Sequence, residues 1–141
     1  MYLLNFLEYL GVTLPLMILA VFLFIKTTPY PEFELMAAGD DLEDPRKVAA
    51  ANAAALDLGG KVLGLALLMG SAIYHSVNLW DLIVWALTGT VLLILVYYIF
   101  EFLTPKFKIR KEIPNGNVGI AIFSFCLSVA SGILMGALIS Y

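Results

Sequence analysis

Cysteine and histidine each occur once in the sequence, as Cys126 and His75. One thiol makes no internal disulfide. One histidine, one cysteine and scattered acids supply no catalytic triad, metal cluster or phosphate loop. Charge is scarce as well: Asp, Glu, Lys and Arg make up 13% of the chain, about half the share of a typical soluble domain. The few basic residues form no face for nucleic acid. Neither an enzyme, nor a cofactor, nor a nucleic-acid partner is therefore expected. A soluble bundle needs polar faces at helical period, and stretches such as "LIVWALTGTVLLILVYYIF" have none. The alternation of a transmembrane barrel is missing too. Cys126 lies in an apolar run and is read as a packing residue.

Apolar residues fill the space that charge leaves. They make up 62% of the 141 residues, and mean hydropathy is +0.95. Four runs hold them: roughly Leu3–Ile25, Ala53–Ile73, Leu79–Phe102 and Val118–Ile139. Each is about 20 residues or longer, enough to cross about 30 Å of hydrocarbon at 1.5 Å per residue. The pattern predicts an all-α integral membrane protein with four transmembrane helices in a single membrane domain, 1–141. The N-terminal run has no basic flank and no small-residue cleavage site, so it is expected to stay as the first span.

Lys26, Arg46 and Lys47 fall between the first two runs, and Lys106, Lys108, Arg110 and Lys111 between the last two. The positive-inside rule places both basic loops in the cytoplasm and both termini outside. Acids contribute little to that rule, so "GDDLEDPRK" does not reverse it. Tyr2, Tyr9, Tyr74, Trp80 and Tyr141 fall where an outer aromatic belt is expected. Asp81 reads as the N-cap of the third span, and His75 as an exposed turn residue.

The feature order suggests two tandem two-helix repeats, about 1–75 and 76–141. Pro31-x-Phe33-x-Leu35 after the first span matches Pro105-x-Phe107-x-Ile109 after the third. Spans two and four each open on an asparagine, Asn52 and Asn117. Those spans also carry small residues at four-residue spacing: Gly60 and Gly64 in one, Ser124, Ser128, Gly132 and Gly136 in the other. Such ridges let helices approach closely in lipid. Spans two and four are thus expected to form a tight centre flanked by the bulkier one and three. Asp44 is a good N-cap and Pro45 a good first residue, so helix two is expected to begin in the cytoplasm. "PEFELMAAG" reads as a short interfacial helix, with Phe33 and Met36 down and Gly39 ending it.

Asp57 and Lys61 are four residues apart within "LDLGGKVLGLALL". Asp57 would sit about 18 Å along a helix begun at Pro45, near the inner edge of the hydrocarbon. Lys61, a turn deeper, could snorkel back to water. Acid before base at i, i+4 is the favourable order for a helical pair. Two readings follow: a mutually neutralising structural pair, or an ion route in which Asp57 and Lys61 join Glu8 of the first span, with Asn52 and Asn117 as further polar candidates.

"TTPYPEFELMAAG", "NAAALDLGGKVLGLALLMGSAIYHSVNLWDLIVWALTG" and "PNGNVGIAIFSFCLSVASGIL" resemble the YjfL-like family of small bacterial inner-membrane proteins, a domain of unknown function (family 350). The likeness covers nearly the whole chain. It implies an inner-membrane location and two copies of a two-helix unit. Family neighbourhoods suggest membrane-stress or polyamine-related systems. The chain departs from the family in "DDLEDPRKVAA", which intervenes between Gly39 and Asn52. Two functions are carried forward. One is a membrane-embedded subunit or scaffold, in contact with the lipid bilayer and assembled as a homo-oligomer or with another membrane or peripheral protein. The other is a small oligomeric ion channel or transporter that uses Asp57, Lys61 and Glu8.

Overall fold

The computed structural model describes residues 1–140, so the belt position of Tyr141 lies outside the described residues. Six helices follow one another: α1 (Tyr2–Thr27), α2 (Glu32–Ala38), α3 (Pro45–His75), α4 (Leu79–Leu103), α5 (Ile109–Glu112) and α6 (Val118–Ile139). α1, α3, α4 and α6 are each long and apolar enough to cross a membrane. The chain is an all-helical membrane protein with four spans.

Caps and prolines set the boundaries. Asp44 Oδ1 accepts from the backbone N–H groups of Arg46 at 3.0 Å and Lys47 at 3.4 Å, with Pro45 in the first turn. α3 thus begins at Pro45, as expected. At α4 the cap is Asn78, not Asp81: Asn78 Oδ1 accepts from Asp81 N–H, and Asp81 Oδ2 accepts from Val77 N–H, both at 3.0 Å. The two side chains satisfy two free donors reciprocally, which leaves Asp81 inside the first turn. His75 is half-buried and bonded to Ser71, not exposed. Gly39 ends α2 in a right-handed conformation, φ −73°. It is required for space, because a Cβ there would strike that of Ala51. Of the α2 pair expected to face down, Met36 packs against the core while Phe33 is exposed.

α3 and α6 form the centre. A Cβ on Gly60 would lie 2.6 Å from Phe125 Cα, and one on Gly132 2.6 Å from Gly64 Cα. Ser124, Ser128, Gly132 and Gly136 are buried along the same seam. The small-residue ridges therefore meet backbone to backbone, the geometry in which packing alone holds membrane helices together. α4 packs on α3 and α6, and α1 packs on α3 and α4. α1 is fully buried only toward its loop end, at Ala20 and Phe24, while Tyr9 and Val12 pack, partly buried, on the cluster of Leu68, Ala72, Leu82 and Ile139. Of its apolar window 11% is buried, against 50% for α3. The short helices cover the loop ends: α2 lies on α3 and α5 on α6.

Candidate functional site

The sequence "TTPYPE" shapes the site. Residues before proline avoid the helical region, so Thr28 and Tyr30 cannot continue α1. Thr28 leaves it with φ −74° and ψ 130°. Its hydroxyl donates to Phe24 O at 3.0 Å, closing the helix end. The chain folds back under the bundle, Pro31 starts α2, and Tyr30 and Glu32 become buried.

Glu32 thereby meets α3. Lys61 Nζ lies 2.6 Å from Glu32 Oε1, 2.8 Å from Asp57 Oδ2 and 2.9 Å from Thr28 Oγ1. The three ammonium donors have three oxygen acceptors. The same ammonium sits over three rings: Tyr97 at 4.7 Å, Phe24 at 5.2 Å and Tyr30 at 5.5 Å from the centroids. Asp57 is equally engaged. The hydroxyls of Tyr30 and Ser124 donate to it, and Tyr97 OH lies 3.3 Å from Oδ1. Tyr97 in turn meets Phe24 edge to face at 5.5 Å. Asp57 and Lys61 are each 0% exposed and Glu32 is 1% exposed. One cluster therefore joins α1, the α1–α2 link, α2, α3, α4 and α6.

Charges this far from water are tolerated only when paired and hydrogen-bonded. Asp57 and Lys61 meet that condition fully. Glu32 meets it on one side: its Oε2 is buried without a hydrogen-bond partner. Beside the cluster, on the loop side, lies an open pocket of about 520 Å³ whose wall includes Thr28, Tyr30 and Glu32. Lys26, Phe33 and Glu34 also line it. Among the described residues no group of three or more His, Cys, Asp or Glu is placed to hold a metal.

The family model described as Domain of Unknown Function (DUF350) matches residues 1–139. That span contains every member of the cluster. The chain belongs to the DUF350 family. The UPF0719 transmembrane protein YshE of Bacillus subtilis is 39% identical over 105 residues, which cover 74% of this chain and 77% of the relative. The UPF0719 inner membrane protein YjfL of Escherichia coli K12 is 24% identical over 139 residues, 99% of this chain and 96% of the relative. No solved structure matches. Membership fits the four spans and assigns no activity.

In this DUF350 chain the sequence-predicted polar residues do not all meet. Asp57 and Lys61 come together. Glu8 does not join them: it is exposed on α1, about 24 Å along the helix from Phe24 at 1.5 Å per residue. Asn52 is exposed. Asn117 caps α6, accepting from Ile120 N–H at 3.2 Å and donating to Glu112 at 2.9 Å. Lys61 does not snorkel to water, because Glu32 reaches it first. The members that sequence reading missed are Glu32, Tyr30, Tyr97 and Thr28, together with the polar role of Ser124. One signal was available: a lysine inside a span requires a carboxylate, and "PYPE" supplies one next to a forced chain reversal.

Proposed function

We propose that the chain is a membrane-embedded subunit that assembles with further copies of itself through the outer half of α1. The observation that carries this reading is Glu8. It lies with Leu4, Gly11 and Pro15 on an exposed stripe of α1. Nothing lies within 4 Å of a Cβ built at Gly11. An ionisable side chain on a lipid-facing surface is costly, and such groups favour a protein neighbour. Glycine beside it permits the close approach that such contact needs. In a two-fold pair the same stripe would face itself.

The rest of the reading follows the sequence. The protein sits in the bacterial inner membrane, with both basic loops in the cytoplasm and both termini outside. Two tandem helix pairs make up a single membrane domain. In support, α1–α2–α3 and α4–α5–α6 repeat the order long helix, short helix, long helix, and Thr-Pro follows the first long helix of each. The subunit performs no catalysis: the polar side chains that the fold gathers are engaged mostly with one another. A conducting role through Asp57, Lys61 and Glu8 has less support, since Glu8 is remote from the pair.

Light scattering on the purified protein in mild detergent tests the assembly. A dimer or larger species is expected, reduced to monomer in Glu8→Leu. A wild type that is monomeric in both detergent and nanodiscs would remove the proposal.

A further inference from the structure

With every member ionised the buried cluster is unbalanced. Asp57 and Glu32 contribute two negative charges and Lys61 one positive, a net of −1. The groups around Glu32 are Lys61 and Asp57 of α3, Thr28 at the end of α1 and Tyr30 of the link. Lys26 and Glu34 lie in the pocket wall beyond them. No second cation is bonded to the cluster among the described residues.

The imbalance has a location. Both oxygens of Asp57 accept hydrogen bonds, from Tyr30, Ser124 and Tyr97. Asp57 therefore has no oxygen left without a partner. Glu32 has one oxygen on Lys61 and the other, Oε2, with no partner. Burial pushes the Glu32 carboxyl above the usual carboxylate range, and Lys61 draws it only part of the way back.

We propose that Glu32 is a proton-binding site, loaded and unloaded at Oε2 from the loop-side pocket. The proton comes from water in the pocket and forms an O–H bond on Oε2. No other bond breaks, and the cluster passes from −1 to neutral. A metal cation fits less well. It would need several oxygen ligands, Asp57 has none to spare, and the Lys61 ammonium stands 2.6 Å from Oε1.

Infrared spectroscopy of the full-length protein in liposomes tests this, because a protonated carboxyl and a carboxylate absorb separately. At neutral pH, where exposed carboxyls are ionised, a protonated-carboxyl band is expected. It should be lost at alkaline pH, be absent in Glu32→Gln and persist in Glu8→Gln. In wild type it should move when glutamate carrying a ¹³C carboxyl is incorporated, which keeps the test open if Glu32→Gln folds poorly. Asp57→Asn removes a neighbouring negative charge, so it should shift the midpoint of the band to lower pH. A spectrum with no such band at neutral pH, a band that moves with labelled aspartate, or a band retained in folded Glu32→Gln would each overturn the proposal. So would a band lost by adding sodium or potassium at constant pH, which would make the ligand a metal cation.

Discussion

Lys61 governs the cluster because, among the described residues, it is the one cation bonded within it. Removing it leaves Asp57 and Glu32 facing each other in a dry interior with no cation between them, whereas removing Asp57 lets Glu32 release its proton and form a balanced pair with Lys61. Truncating one partner of a buried ion pair costs about 3–5 kcal/mol. Lys61→Met is therefore expected to lose about that much, and Asp57→Leu less. Pairing Lys61→Met with Glu32→Gln should recover a large part of the loss. Thermal denaturation in detergent reads the series. Equal effects for Lys61→Met and Asp57→Leu would mean that Glu32 is not coupled to the pair. The i, i+4 spacing made Asp57 and Lys61 legible in the sequence as partners. Glu32 was not legible, because its place depends on two X-Pro steps turning the chain back, and no periodicity encodes that reversal.

At the scale of elements, close approach is the α3–α6 seam's means of adhesion. In lipid there is little hydrophobic force between helices, so contact depends on fit. Gly132 faces Gly64 directly. Forcing side chains into a packed site costs about 1–3 kcal/mol. Gly132→Leu should reach or pass the upper end of that range, since backbone and not a movable side chain stands in the way. Gly70 is the internal control: a Cβ there meets nothing within 4 Å. Gly70→Ala should leave the melting temperature unchanged or raise it, because alanine is the better helix former. If both substitutions behaved alike, the seam would not be holding the bundle. The seam was legible because small residues at four-residue spacing lie in register on spans two and four. The Asn78–Asp81 cap was misread because either residue type can cap a helix, and the choice depends on where the chain turns after His75.

The whole molecule combines a sealed interior with an open flank. The charges are closed in near the basic loops, and α1 stands largely uncovered with Glu8 on its exposed side. Ion flux across liposomes is therefore not expected from the protein, and Lys61→Met should not change it. Orientation is checked by cysteines at Ala38 and Val77 in a Cys126→Ala background. With an impermeant thiol reagent on intact cells, Val77 should react and Ala38 should not. The number of spans and their pairing were legible from hydropathy and small-residue spacing. The uncovered face of α1 was not, because four uniformly apolar runs do not say which helix will be left outside. The most direct test of the assembly claim is disulfide cross-linking of single cysteines along α1 in native membranes, again in Cys126→Ala. Cysteines at Leu4 and Gly11 should form cross-linked dimers, and those at Thr13 and Ala20, which face the bundle, should not. Cross-links absent from every position, or equally strong on both faces, would contradict the account.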